Sequence, residues 1–126
     1  MTKILLVSVQ LSPVIKNGDI TRVQTYDEGL EMLGNENFDI VLADAQVKNN
    51  WARKFLVAVR DEFDEKPLVV IRHHQPSDYI CEDRKCHCWQ IPISIQVHYA
   101  FATFFQGDIW TTEIIESLIS QHHAMA

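Results

Sequence analysis

Short runs of apolar residues alternate along the chain with segments whose apolar residues recur at helical spacing. The clearest run, residues 38–44 (FDIVLAD), ends in a single carboxylate at Asp44. Consecutive apolar residues over the length of a strand indicate a strand buried on both faces, as in parallel α/β sheets. The same patterns predict strands at residues 3–9, 20–25 and 67–71, helices at residues 25–33 and 51–63, and a final helix capped by Asp108.

Two segments do not fit a regular alternation of strands and helices. Residues 10–18, between the first two strands, are fewer than the ~10–12 that a parallel crossover with its helix normally needs. We therefore expect that the first helix is shortened or missing, or that the first two strands pair antiparallel. Residues 86–90 predict a short fifth strand. Alternating apolar residues up to Phe101 favour extended chain, but a helix that begins at Phe101 also fits, so residues 94–106 leave strand and helix open.

Composition narrows the class of protein. The chain has 126 residues, 47% of them apolar, so we expect one domain with a core of ordinary size. A net charge of −6 without a basic run argues against nucleic acid as a partner. The apolar runs are far shorter than a membrane span, and the first residues predict a strand rather than a signal peptide. Three cysteines, an odd number, fit a reducing compartment, so we expect a cytoplasmic protein that does not bind membranes.

The order and spacing of these segments resemble the receiver domain of response regulators. Residues 25–33 (TYDEGLEML), 38–44 (FDIVLAD) and 67–71 (PLVVI) follow the pattern of that family in order. The resemblance implies a flavodoxin-like (CheY-like), doubly wound α/β fold over residues 1–126. Its five-stranded sheet is expected to be mostly parallel, with the first helix shortened or missing. The resemblance also implies two-component signal transduction and places Asp44 at the position of the phosphoacceptor.

The other positions of that phosphorylation site lack the residues that its chemistry needs. Where the family has an acidic pair that holds Mg²⁺, this chain has Ser8 and Val9. Arg72 stands where the family has threonine or serine, and Ile91 where it has lysine. Because a lone carboxylate binds Mg²⁺ weakly, the resemblance implies a degenerate receiver, or pseudo-receiver, without a cofactor. Asp44 is then expected to cap the helix that begins near residue 50 or to form an ion pair with Arg72.

A cluster of cysteines and histidines lies between residues 73 and 88. Thiolates and imidazoles suit Zn²⁺, and four such groups can close a tetrahedral site. The spacing C-x₄-C-x-C is not a common zinc signature, so the competing interpretation is that the cysteines are small core residues and the histidines are solvated. The candidate zinc ligands are His73, Cys81, Cys86 and Cys88.

Three functions remain open on the sequence. The first is a signalling adaptor that binds a protein partner, or a second copy of itself, without aspartyl phosphorylation. The second is a working phosphoacceptor in a phosphorelay through Asp44, and the third is a metal- or redox-responsive regulator through the cysteine cluster. We expect no enzyme, because no nucleophile–base pattern or glycine-rich phosphate loop is present in the sequence. The aromatic residues suited to anchor an interface, unless they belong to the core, are Trp89, Tyr99, Phe101 and Trp110.

Overall fold

The computed structural model describes residues 2–8, 18–44, 46–47, 50–73, 99–106 and 112–125. The described strands are β1 (Thr2–Val7), β2 (Gly18–Val23), β3 (Ile40–Asp44), β4 (Gln46–Val47), β5 (Asn50–Trp51), β6 (Leu68–His73) and β7 (Ala102–Gln106). The described helices are α1 (Tyr26–Asn35), α2 (Ala52–Glu62) and α3 (Thr112–Met125). The central elements therefore start and end within two residues of their predicted bounds.

Five of these strands form one sheet in the order β2–β1–β3–β6–β7. All four pairings in this sheet are parallel, while β4 and β5 form a separate antiparallel pair directly after β3. When only the five strands of this sheet are numbered along the chain, their order is 2-1-3-4-5, which is the order of flavodoxin-like folds of the CheY type. The predicted fold class is confirmed.

The first two strands pair parallel, from Thr2 opposite Gly18 to Val7 opposite Val23. The antiparallel alternative is therefore wrong. Residues 8–17 are just long enough for a parallel crossover, which normally needs ~10–12 residues. The prediction of a shortened or missing first helix concerns residues 9–17, which lie outside the described part of the chain.

Each face of the sheet carries its own hydrophobic core. On one face, α1 and α2 pack against alternate residues of the strands, and Phe55 of α2 is fully buried there. On the other face, α3 packs through Ile115, with Leu118 and Ile119 half-buried beside it. Because successive strand residues point to opposite faces, the consecutive apolar runs of β1, β3 and β6 supply both cores at once.

The start of α1 is set by its N-cap residue, Thr25. The Thr25 hydroxyl accepts a hydrogen bond from the backbone N–H of Glu28 at 3.1 Å and donates to the Glu28 carboxylate at 3.0 Å. One turn further, Gly29 allows α1 to approach the sheet, because a Cβ there would lie 3.1 Å from Val7 Cγ2. This close approach brings the first residue of α1, Tyr26, against the end of β3.

The fifth strand of the sheet lies later in the chain than predicted. β7, not residues 86–90, pairs with β6, from Val69 opposite Ala102 onward. Residues 86–90 lie outside the described part of the chain. A helix that begins at Phe101 is also wrong, because a turn there, with the Ala102 N–H donating to the Tyr99 carbonyl at 2.9 Å, leads into β7.

The aromatic residues proposed as interface anchors divide into two groups. Tyr99 and Phe101 are only 6% and 9% exposed, and both pack in the core beneath α2. Their burial supports the competing core interpretation, because the turn before β7 directs both rings inward. Trp89 and Trp110 lie outside the described residues.

Candidate functional site

Three strands end side by side at the carboxyl-terminal edge of the sheet with polar residues. Ser8 follows β1, Asp44 ends β3, and Arg72 lies opposite Asp44 in the register of β6. Because side chains alternate between the two faces of a sheet, all three side chains lie on the face that α3 covers. In an open parallel sheet, ligands bind at this edge where the strand order reverses, which here is between β1 and β3.

The two oxygens of the Asp44 carboxylate are bound by different partners. Oδ1 accepts hydrogen bonds from Arg72 Nε at 2.8 Å and from Arg72 Nη2 at 2.7 Å. Oδ2 accepts a hydrogen bond from the Ser8 hydroxyl at 2.6 Å. The predicted ion pair between Asp44 and Arg72 is confirmed.

This cluster of polar groups is shielded from water. Asp44 is 8% exposed, Arg72 4% and Ser8 1%. A carboxylate at such depth loses several kcal/mol of hydration unless a counter-charge and hydrogen bonds replace the water. The guanidinium of Arg72 supplies the counter-charge and the hydroxyl of Ser8 supplies a further hydrogen bond, so the burial of Asp44 is compensated within the chain.

Tyr26 binds the same residue from the opposite face of the sheet. Its hydroxyl donates to the backbone carbonyl of Asp44 at 2.5 Å, and its ring lies 5.5 Å from that of Phe55. Burial, and then the negative charge of Asp44, raise the pKa of Tyr26 far above its ordinary range, so the phenol stays protonated and remains a donor. We call Ser8, Tyr26, Asp44 and Arg72 the Asp44 network.

The network is also tied to the edge strand β2. The backbone N–H of Ser8 donates to the carbonyl of Val23 at 3.1 Å. The Nε of Arg22 donates to the carbonyl of Ser8 at 3.4 Å. Since Ser8, Asp44 and Arg72 lie at the ends of adjacent strands, these bonds hold the ends of four strands in one fixed arrangement.

This arrangement leaves Asp44 poorly suited to attack a phosphoryl group. Phosphoryl transfer to a carboxylate requires a free oxygen, and a cation must offset the repulsion between two anions. In the described part of the chain, one oxygen of Asp44 is held by Arg72 and the other by Ser8. A reaction at Asp44 therefore takes place at an oxygen that already accepts a charge-assisted hydrogen bond, in a site from which water is largely excluded.

The structure brings together three of the predicted site positions: Ser8, Asp44 and Arg72. Val9 and Ile91 lie outside the described residues. The assignment of Ile91 depended on a fifth strand at residues 86–90, and the sheet instead places Gln106, which is not a lysine either, at that strand end. Tyr26 was not predicted, because its position beside the Thr25 cap fits an ordinary core residue and the sequence does not show which group a tyrosine hydroxyl reaches.

The zinc hypothesis stays a prediction. His73 ends β6, but Cys81, Cys86 and Cys88 lie outside the described residues. Within residues 2–8, 18–44, 46–47, 50–73, 99–106 and 112–125, no three side chains of His, Cys, Asp or Glu are grouped so as to hold a metal ion.

Comparison of the chain with protein-family models, with curated proteins and with solved structures found no match. None of the helices described is long and apolar enough to cross a membrane.

Proposed function

We propose that this chain is a receiver-like signalling adaptor of the cytoplasm that acts by binding a protein partner, without phosphorylation of Asp44. The sheet order supports the likeness to receivers in fold. The observation that carries the proposal is the ion pair between the buried Asp44 carboxylate and the Arg72 guanidinium. It supports an adaptor whose state does not depend on Mg²⁺ or phosphate, because the charge that those groups regulate in a receiver is already balanced.

The test is incubation of the purified chain with acetyl phosphate and Mg²⁺, followed by intact mass spectrometry. We expect no phosphate-sized mass gain in the wild-type chain, while a conventional receiver domain treated in parallel gains one. A stable gain that disappears in Asp44→Asn would contradict the proposal and favour the phosphorelay alternative.

Partner binding requires a second measurement. Proteins that co-purify with the tagged chain should be recovered to the same extent from acetyl-phosphate-treated and untreated protein. A partner retained only after phosphorylation would exclude a phosphate-independent adaptor. Sedimentation of the chain alone at micromolar concentration separates a homodimer from a monomer that awaits another protein.

The metal- or redox-responsive alternative has no observation in its favour among the described residues. Metal analysis of protein purified without chelator tests it directly. Less than a tenth of an equivalent of zinc per chain would remove it.

A further inference from the structure

The amino-terminal edge of the sheet, opposite the Asp44 network, carries an open cleft. It lies between the end of α1 and the segment that joins α2 to β6, and its volume is about 230 Å³. Sites for small molecules and cofactors are typically ~300–1,000 Å³, so this cleft is better matched to one side chain of a protein partner. We call it the amino-edge cleft, and the residues that define it here are Leu33, Glu36, Phe38, Phe63, Glu65 and Pro67.

The floor of the amino-edge cleft is apolar and partly open to solvent. Phe38 is 8% exposed, whereas Leu33, Phe63 and Pro67 are only half-buried. Partly exposed apolar side chains around a concave surface gain free energy when a partner covers them, because apolar area is removed from water.

The rim of the amino-edge cleft is negatively charged. Glu36 and Glu65 line the cleft, and Glu62 and Asp64 lie just before Glu65 in the chain. Lys66 also lines the cleft and Lys3 pairs with Glu36, but the four carboxylates outnumber these two ammonium groups. The carboxyl-terminal ends of α1 and α2 lie here too, and each carries the negative end of a helix dipole.

The chain itself shows how this edge binds a cation. The ammonium of Lys3 forms an ion pair with Glu36 and lies 5.2 Å from the centre of the Phe38 ring. A carboxylate and an aromatic face thus hold one ammonium group at the border of the cleft, by charge and by cation–π attraction. Glu65 also lines the cleft, and its carboxylate can attract a cation of another molecule in the same way.

We propose that the amino-edge cleft binds a basic segment of a protein partner, with one aromatic or aliphatic side chain in the cleft and lysine or arginine side chains on its rim. This rests on the proposed adaptor function and names the surface and the chemistry of its partner. Charge complementarity selects this partner, since the rim and both helix ends repel an acidic segment.

A synthetic probe peptide tests the proposal. The probe is a fluorescein-labelled peptide with a central phenylalanine flanked by lysines, and the measurement is fluorescence anisotropy at low ionic strength with the full chain. We expect saturable binding that weakens as salt is added. Replacing the phenylalanine by alanine, or the lysines by glutamates, should abolish it.

Two charge-reversal variants separate the cleft from the net charge of the chain. Glu65→Lys reverses a charge that lines the cleft, and Glu113→Lys makes the same change at an exposed position on α3, across the sheet. We expect Glu65→Lys to weaken binding of the probe about fivefold or more and Glu113→Lys to leave it within about twofold. Circular dichroism confirms that both variants are folded.

Several results overturn the proposal. One is the absence of saturable binding by the folded wild-type chain up to about 1 mM. Another is a glutamate-flanked peptide that binds as tightly as the lysine-flanked probe. A third is that Glu65→Lys and Glu113→Lys weaken binding of the probe equally. A dimer in sedimentation that Glu65→Lys dissociates also overturns it, because the occupant is then a second copy. The acetyl-phosphate result is independent of these outcomes: a phosphate gain on Asp44 ends the proposed function, and lost peptide binding alone ends only the amino-edge cleft proposal.

Discussion

The two edges of the sheet each hold an ion pair, but in different surroundings. At the carboxyl-terminal edge, Asp44 and Arg72 are almost fully buried and hydrogen-bonded to each other. At the amino-terminal edge, Lys3 and Glu36 keep 35% and 36% of their side-chain surface in water. Removing one partner of the buried pair leaves the other charge unpaired and without water. In the exposed pair, water can hydrate whichever charge remains.

The largest expected effect comes from breaking the buried pair. Arg72→Met keeps the unbranched apolar part of the side chain but leaves the Asp44 carboxylate buried without a counter-charge. We expect the free energy of unfolding, measured by urea denaturation, to fall by about 3–5 kcal/mol.

The matched control removes both charges. Asp44→Asn combined with Arg72→Met should recover most of that loss, because an apolar or neutral pair in a buried site has no unpaired charge to hydrate. A loss below about 1 kcal/mol in Arg72→Met alone would mean that water reaches Asp44 and that this pair is hydrated like the pair at the other edge.

Tyr26→Phe should have an intermediate effect and a characteristic pH dependence. It removes the hydrogen bond to the Asp44 carbonyl, and near neutral pH we expect a loss of about 1 kcal/mol. The pKa of Tyr26 is raised in the folded chain from its ordinary value of 10.0, so above about pH 10 the unfolded chain loses this proton first. The stability of the wild-type chain should therefore fall more steeply with rising pH than that of the variant.

Urea denaturation of both proteins between about pH 8 and pH 11 measures this difference. The other tyrosines are present in both proteins, so the comparison isolates Tyr26. Parallel stability curves over that range would show that the phenol of Tyr26 ionises equally readily in the folded and unfolded chain.

The smallest effect is expected at the exposed pair. Lys3→Met removes the ion pair with Glu36 and the contact with the Phe38 ring. Because both charges are well hydrated, we expect a loss of stability below about 1 kcal/mol that shrinks further in high salt. A loss comparable to that of Arg72→Met in the same urea assay would erase the distinction between the two edges.

Much of the fold could be predicted because its signals are local. The apolar run of β3 indicates a strand buried on both faces, and Thr25 with Glu28 marks the start of α1. The location of β7 could not be predicted in the same way. Alternating apolar residues precede and include it, and only pairing with β6, a tertiary interaction, decides which of them become the fifth strand.

The contacts of the candidate site were likewise predictable only in part. The ion pair between Asp44 and Arg72 could be predicted, because both residues lie at the carboxyl-terminal ends of strands that are neighbours in this fold class. The hydrogen bond from Ser8 and the contact of Tyr26 depend on side-chain directions that spacing along the chain does not define.

The opposition of Asp44 and Arg72 also bears on how the sheet finds its alignment. The residues before them, Ile40–Ala43 in β3 and Leu68–Ile71 in β6, are all apolar, so several offsets between these strands bury similar surface. A slip of either strand by one residue would turn one of the two charges toward the opposite face of the sheet and separate the carboxylate from the guanidinium. We expect this penalty to discriminate against misaligned strands during folding, so that the charged pair defines the alignment of a sheet whose centre is otherwise uniform in chemistry.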